Sequence, residues 1–381
     1  LLIVATAALT AGATFAQTTT PPAPIPLRDF FRNIDRGYFR ISTDGKMLSF
    51  MQPAVGEDGK TRRMNIFVQP LDGSRPVGEP RQLTRESARD IPGYFWKSAT
   101  TLLYTKDFGG DENDHVVAVD AATGKVTDLT PFPGVRAAVL DALPEDPEHI
   151  LVQHNQRNKQ VFDVYRINVK TGVQTLVAEN PGNIVGWQTD HTGRVRMGVA
   201  SDGVNNTLLS STDFSTSVNP QFFDADNKTF YGVSNRGRDK GALVRIDPAK
   251  PTDETVVYAH PKVDLDGAAW SRARKTLALA AYDVDKPGRH YFDDTMRQIF
   301  QRLEAKLPGW SLTLQSSTLA EDKFVVAATS DRSAGTRYLY DAKADTLTKL
   351  GEISPWLPEA AMAPMKPISY KARDGLEIPD Y

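Results

Sequence analysis

Two serines come closest to the G-x-S-x-G spacing of a turn that exposes a serine as a catalytic nucleophile. Ser234 follows Gly232 in Gly-Val-Ser-Asn-Arg, and Ser311 follows Gly309 in Gly-Trp-Ser-Leu-Thr. Each segment lacks the second glycine of the pattern, and neither lies between a buried parallel strand and a helix. We therefore assign neither serine as a nucleophile.

Other ionisable groups could serve as general bases or metal ligands, but their spacing does not fit these roles. The six histidines lack the H-E-x-x-H pattern, which favours surface or turn positions for them. They are His115, His149, His154, His191, His260 and His290. The acidic loop 109–114 could offer oxygen ligands to a hard cation, yet it lacks the D-x-D-x-D-G pattern and its closing glutamate. Cysteine is absent, which excludes thiolate nucleophiles and cysteine-bound metals. We predict no catalytic, cofactor-binding or metal-binding residue, and no cofactor.

Short strands separated by polar turns must position these groups. From Ile34 onward, apolar and polar residues alternate in segments such as 46–51, 101–105, 149–154, 229–233 and 323–328. A hairpin unit recurs after these segments, and its turn glycines supply the positive φ that tight turns need. The clearest turn glycines are Gly73, Gly124 and Gly172, separated by 51 and 48 positions.

A repeat of about 50 residues with four strands is the signature of a propeller blade. The sequence therefore predicts an all-β fold, a β-propeller of about seven four-stranded blades over residues 34–354. The predicted blades are 36–84, 88–131, 135–179, 183–214, 219–259, 263–281 with an insertion, and 311–350. The fourth is short, as if residues were lacking near 208–214. Six or eight blades, and a β-sandwich with similar hairpins, are the alternatives.

One segment departs from the strand pattern. Between Asp293 and Gly309, apolar residues recur at helical spacing, at Met296, Ile299, Phe300, Leu303 and Leu307. Asp293 or Asp294 can cap the start, and Pro308-Gly309 ends the segment. We predict an inserted amphipathic helix that packs on the flank of the propeller, with binding of a partner as the alternative.

The N-terminal residues and the charge suggest where the protein resides. Leu1–Ala16 is uncharged and apolar and ends in Ala-Thr-Phe-Ala, which is typical of a partial signal peptide with its cleavage site. A buried or interfacial helix is the alternative. Residues 17–33 read as a Thr/Pro-rich linker and a lead-in segment. We expect an exported protein, periplasmic or secreted. The net charge of −2 gives no sign of a nucleic-acid or anionic-membrane partner.

The C-terminal stretch carries a family resemblance. Residues 355–381 end in Ile-Ser-Tyr-Lys-Ala-Arg-Asp-Gly-Leu-Glu-Ile-Pro-Asp-Tyr. They resemble the junction at which the β-propeller of prolyl oligopeptidase family serine peptidases meets the α/β-hydrolase domain. The acylaminoacyl-peptidase-like, or dipeptidyl aminopeptidase, branch is the most similar. The blade motif 41–50, Ile-Ser-Thr-Asp-Gly-Lys-Met-Leu-Ser-Phe, agrees with the family but also occurs in many periplasmic propellers. The resemblance implies that 355–381 holds the junction and the first strand of a hydrolase domain.

In that family the propeller restricts access to the active site, and the hydrolase domain carries the Ser-Asp-His triad. The resemblance therefore implies a truncated, non-catalytic propeller that gates peptide substrates and docks the catalytic domain, inactive by itself. Its partners would be peptides, through that domain, and a second copy, through the exposed hydrolase-facing rim. No membrane is expected after signal cleavage. Loops 233–242 and 331–335 could line that rim, or be simple hairpin loops. The alternative is a stand-alone TolB-like periplasmic propeller that acts as a protein-interaction module.

Overall fold

The computed structural model describes residues 24–200 and 217–380, and antiparallel strands dominate it. The strands before residue 201 are β1 (Gly37–Ile41), β2 (Met47–Val55), β3 (Arg62–Asp72), β4 (Arg75–Pro76), β5 (Arg81–Gln82), β6 (Tyr94–Trp96), β7 (Thr101–Lys106), β8 (His115–Asp120), β9 (Val126–Asp128), β10 (Ala137–Asp141), β11 (His149–His154), β12 (Asp163–Asn168), β13 (Gln174–Ala178), β14 (Ile184–Thr189) and β15 (Val195–Ala200).

The remaining elements follow residue 216, apart from a short N-terminal helix. The strands are β16 (Val218–Phe223), β17 (Phe230–Ser234), β18 (Ala242–Ile246), β19 (Glu254–Tyr258), β20 (Leu265–Ser271), β21 (Thr276–Asp283), β22 (Pro287–Tyr291), β23 (Ser311–Ser317), β24 (Lys323–Ser330), β25 (Ser333–Asp341), β26 (Thr346–Glu352), β27 (Ile368–Lys371) and β28 (Glu377–Asp380). The helices are α1 (Leu27–Phe30), α2 (Asp294–Lys306) and a 3-10 turn (Glu359–Ala361).

Strands that are consecutive in sequence pair into seven successive sheets. Sheet 1 holds β1–β5, sheet 2 β6–β9, sheet 3 β10–β13, sheet 4 β14–β15, sheet 5 β16–β19, sheet 6 β20–β22 and sheet 7 β23–β26. In sheets 2 and 3, Val, Leu and Ile side chains on the two middle strands are buried, whereas residues of the outer strands β9 and β13 are exposed or half-buried. The local reason is composition, because Val, Leu and Ile concentrate in the middle strands and suit a sheet that is covered on both faces.

Apolar clusters join each sheet to the next, and the order closes into a ring. Leu103 and Ile150 belong to the cluster shared by sheets 2 and 3, and similar clusters join the other neighbours. The ring closes where Phe39 and Phe50 of sheet 1 pack with Val325 and Leu339 of sheet 7. Strand β1 also contacts β23 and β24 directly. This closed ring of sheets is a β-propeller, as the repeat predicts.

The predicted number of about seven four-stranded blades is not confirmed. Six of the sheets contain three or more strands, and sheet 4 contains two in the part of the chain that the structure describes. Sheet 6 has three strands because α2 follows β22 where a fourth strand would otherwise pair. The predicted shortening of the fourth blade near 208–214 lies outside the described residues, as do the signal peptide 1–16 and residues 17–23. No described helix has the length and apolar character required to span a membrane.

The inserted helix is confirmed. Asp293 caps α2 by accepting a hydrogen bond from the Thr295 backbone N–H. Met296, Ile299, Phe300 and Leu303 are buried between sheets 6 and 7, and Leu307 packs against them partly buried. The helix therefore fills the flank of the propeller, as its apolar stripe predicts.

The C-terminal segment forms an antiparallel hairpin of β27 and β28 where a single strand is predicted. Gly375, with φ of 87°, provides the turn that reverses the chain after Asp374. Ile368 and Leu376 are 55% and 61% exposed. That this hairpin begins a hydrolase domain remains a prediction.

The alternation of strands gives the propeller two distinct ends. We call one the turn face; it holds the connections from each first strand to the second and each third strand to the fourth. We call the other the junction face; it holds the loops between second and third strands, such as 107–114, and the links to the next sheet. Residues 24–36 and 353–367 both leave from the junction face, where the Trp356 indole donates to the Asp29 carbonyl at 2.8 Å.

Candidate functional site

The two serines that come closest to the nucleophile pattern have no histidine hydrogen-bonded to them. Ser234 is buried at the end of β17, and its hydroxyl hydrogen-bonds to Glu254 Oε2 at 2.8 Å. Ser311 begins β23 and is half-buried. Across residues 24–200 and 217–380, no serine hydroxyl hydrogen-bonds to a histidine ring, so no described serine–histidine pair has the geometry of an activated nucleophile.

The histidines serve the fold. His115 Nδ1 lies 2.7 Å from Asp128 Oδ2, and His154 Nε2 lies 3.0 Å from Gln174 Oε1. His290 stacks on Tyr258 with ring centroids 3.9 Å apart. No group of three or more histidine or acidic side chains among the described residues could hold a metal ion.

The three loops identified from the sequence all lie on the junction face. In the acidic loop 109–114, Asp111 accepts a local hydrogen bond from the Asn113 backbone at 3.0 Å. In the 233–242 loop, Arg238 pairs with Glu254 at 2.7 Å. Arg332 pairs with Glu359 at 3.1 Å, so loop 331–335 contacts the segment that leads to the C-terminal hairpin. The loops thus share one face and do not converge into one site.

A cleft between the innermost strands of sheets 2 and 3 opens on the junction face. It has a volume of about 450 Å³. Tyr94 and Phe95 of β6 form one wall, and Val139 of β10 lies on the other, with Asp114 and Arg136 also lining the cleft. Neither charged side chain makes a hydrogen bond or ion pair with any described residue. A cleft with apolar walls and two free charges of opposite sign is typical of a site for a small polar ligand.

Backbone contacts between the two sheets hold these charged residues in place. The Asp114 carbonyl accepts a hydrogen bond from the Ala137 N–H at 2.8 Å, and the Arg136 N–H donates to Asn155 Oδ1 at 2.8 Å. The Tyr94 hydroxyl donates to the Tyr38 carbonyl at 2.8 Å, and burial raises the pKa of Tyr94. Tyr94 is therefore a neutral wall residue, and only Asp114 and Arg136 bring charge to the cleft.

The sequence gives little sign of this cleft. Asp114 is identified only as part of an acidic loop, and Arg136, Tyr94 and Phe95 are not identified at all. They lie on two different repeats and come together only because sheets 2 and 3 pack side by side. The one local signal is position along the chain. Asp114 stands just before β8 and Arg136 just before β10, at the same end of neighbouring sheets.

Comparisons with known proteins were made for the sequence and for the fold. The sequence is 31% identical over 366 residues to the dipeptidyl aminopeptidase BIII of Pseudoxanthomonas mexicana, covering 92% of this chain and 52% of that protein. The chain thus spans about half the length of this curated relative. No family model matches the sequence.

Solved structures share the fold at low sequence identity. A puromycin-hydrolyzing peptidase of Mycobacterium tuberculosis matches with a TM-score of 0.54 and 14% identity, over 94% of this chain and 60% of that one. A puromycin hydrolase matches with a TM-score of 0.56 and 14% identity, over 91% and 58%. A structure from a study of two prolyl endopeptidases matches with a TM-score of 0.54 and 10% identity, over 92% and 54%. Taken with the ring of sheets, these findings identify the chain as the β-propeller portion of a peptidase of the prolyl oligopeptidase family.

Proposed function

We propose that this chain is the non-catalytic propeller of an exported serine peptidase that hydrolyses short peptides through an acyl-enzyme. The propeller would admit and bind the peptide and dock the catalytic domain. The observation that carries this proposal is the 31% identity to about half of a dipeptidyl aminopeptidase. Export rests on the apolar, uncharged segment Leu1–Ala16.

The cleft between sheets 2 and 3 is our candidate for peptide binding. The Asp114 carboxylate can accept hydrogen bonds from an ammonium group, and the Arg136 guanidinium can donate to a peptide carbonyl. Tyr94 and Phe95 offer apolar ring surface for a small side chain. The chain's own residues would thereby orient a short peptide on the junction face. Bond cleavage would belong to the catalytic domain.

Docking is supported by apolar side chains on the junction face. Phe31 before the propeller is 79% exposed, and Ile368 and Leu376 of the C-terminal hairpin are more than half exposed. Exposed apolar groups of this size favour a covering partner. We propose the catalytic domain as that partner, and self-association of the isolated chain through the same rim.

The direct test assays the purified 381-residue chain with dipeptidyl p-nitroanilides and, in parallel, with uncleavable short peptides. We expect no p-nitroaniline release, together with peptide binding by calorimetry. Mass spectrometry should recover the bound peptides intact. The Ser234→Ala variant is the matched control for contaminating activity. Turnover by the wild-type chain that the variant lacks would refute the non-catalytic role. Failure to bind any short peptide would instead favour a stand-alone interaction module.

A further inference from the structure

Several arginines in and beside sheets 1 and 7 form no ion pair with a described residue. Arg157, Arg196, Arg238 and Arg274, in sheets 3 to 6, each pair with a carboxylate. By contrast, five arginines around the closure of the ring make no ion pair with any described carboxylate. They are Arg36, Arg40, Arg62, Arg63 and Arg337.

Two of these arginines line one cleft at the start of β1. The cleft has a volume of about 440 Å³ and is lined by Asp35, Arg36, Gln52, Pro53 and Arg62. Its carboxylate, Asp35, is already bonded by Arg32 at 3.1 Å. The cleft therefore presents two guanidinium groups whose charge no lining carboxylate balances.

Both guanidinium groups are held in fixed positions. Arg36 lies over the Phe50 ring at 4.3 Å, and its Nε donates to Gln52 Oε1 at 3.1 Å. Arg62 donates from Nη2 to the Pro53 carbonyl at 2.8 Å. These contacts use Arg36 Nε and Arg62 Nη2 and leave the Nη groups of Arg36 without a described partner. Oriented guanidinium N–H groups of this kind are suited to carboxylate oxygens.

Sheet 7, which packs against sheet 1 where the ring closes, contributes a further guanidinium group without an ion pair. Arg337 Nη1 is buried without a hydrogen-bond partner among the described residues. Burial lowers the pKa of Arg337, and the charge of nearby Arg40 lowers it further. A desolvated guanidinium beside another one favours a nearby anion.

We propose that the cleft of Arg36 and Arg62 binds a carboxylate group of a peptide ligand, an inference that rests on the proposed peptide-binding function. The cleft between sheets 2 and 3 is less suited to this group, because there Arg136 shares the site with the free carboxylate of Asp114. A peptide carboxylate can come from the C-terminus or from an acidic side chain, and the two sources require separate probes.

The test measures peptide dissociation constants for the full 381-residue chain by calorimetry at low salt. Acetyl-tetraalanine acid and its amide differ only in the terminal carboxylate. A second pair, with glutamate or glutamine inside an amidated peptide, probes the side-chain source. We expect at least one acid form to bind about tenfold more tightly than its neutral partner, and the preference to shrink with added salt.

Variants locate the preference. Arg36→Gln and, independently, Arg62→Gln should each reduce it to about twofold or less, and Arg36→Lys should retain part of it. Arg89→Gln, on the same face but paired with Asp107 at 2.7 Å and outside both clefts, should leave it unchanged. Circular dichroism melting checks that each variant is folded. Equal binding of acid and neutral peptides, or an equal loss of the preference in Arg89→Gln, would overturn the carboxylate site while the peptide-binding function stands. If no peptide binds, both proposals fail.

Discussion

The turn face and the junction face of this propeller carry the same kinds of polar side chain, but these side chains have different partners on each face. On the turn face, polar groups bond to one another or to backbone of the next sheet. On the junction face, two clefts carry charged groups that form no ion pair with a described residue. The contrast separates polar residues that hold the ring together from those available to a ligand.

On the turn face, short acidic or amide side chains close their own turns. Asp120 Oδ1 accepts from the Thr123 N–H at 2.7 Å, and Asn168 Oδ1 accepts from the Thr171 N–H at 3.1 Å. Neighbouring sheets are also linked there. The Leu319 N–H donates to the Thr43 carbonyl at 2.9 Å across the ring closure. These polar groups of the turn face are therefore hydrogen-bonded within the fold and have a structural role.

The junction face contains both satisfied and unsatisfied polar groups, separated by depth. Asp163 is fully buried and accepts two bonds from Arg157, at 2.7 and 2.8 Å, and one from the Asn180 N–H at 2.7 Å. Nearer the surface, Asp114 and Arg136 remain free. Burial, more than location on a face, thus distinguishes a structural charge from an available one.

The strongest test of the turn face is Lys97, which is only 3% exposed. Its ammonium donates to the carbonyls of Ala142, Leu143 and Asp146 in the neighbouring sheet. Lys97→Met leaves the Ala142 and Asp146 carbonyls without this donor, although the Leu143 carbonyl keeps the Asp146 N–H, and it should lower the free energy of unfolding by about 3 kcal/mol in urea titrations. The exposed Lys170→Met should change it by less than about 0.5 kcal/mol. Equal effects would contradict the structural role.

The next test asks whether burial determines which charged residues of the junction face stabilise the fold. Asp163→Ala removes the acceptor of Arg157 and leaves the Asn180 N–H buried. We expect a loss of about 2 kcal/mol in urea unfolding. Asp114→Ala, on the same face but in the cleft, serves as the control and should lie within about 0.5 kcal/mol of wild type. A large loss for Asp114→Ala would show that the cleft carboxylate is structural.

Peptide affinity provides the complementary measurement. Asp114→Asn keeps the shape of the cleft but removes the charge that would hold a peptide ammonium. Binding of a short peptide with a free N-terminus should weaken by about tenfold, while its N-acetylated form should be affected little. Calorimetry on both peptides checks this. A similar loss for both peptides would indicate that Asp114 does not contact the ammonium group.

The smallest effect concerns His154 on the junction side of sheet 3. Its ring is fully buried and stacks on Tyr165 with centroids 3.9 Å apart. Burial lowers the pKa of His154 below its ordinary value of 6.5. The unfolded chain then takes up a proton first as pH falls, so this contribution to stability is complete above about pH 6.5 and is lost below it, by at most about 1.4 kcal/mol per pH unit.

The matched variant is His154→Phe, which keeps a ring against Tyr165 but cannot titrate. Urea unfolding of both proteins from pH 7.5 to about 5 should show a steeper decline for wild type below about pH 6.5. Parallel curves would mean that His154 does not titrate differently in the folded and unfolded states.

The sequence predicts the local features of this propeller well. The apolar stripe of α2 and its Asp293 cap follow from helical spacing, and Gly124 and Gly172 have the positive φ, 74° and 72°, that the hairpin repeat requires. The sequence does not predict which strands pair, because no local feature indicates that sheet 6 stops at three strands. The C-terminal hairpin is likewise predicted as one strand only.

By itself, the sequence determined the repeat, its turns, the helix and the resemblance to a peptidase propeller, because each depends on residues a few positions apart. Only the tertiary structure decided which charges are free. Asp114 and Arg136 belong to different sheets. Arg36 and Arg337, which form no ion pair, belong to neighbouring sheets only because the ring closes between sheets 1 and 7. Whether a charge finds a partner depends on which sheets lie side by side, and that is fixed by packing of the apolar clusters between them.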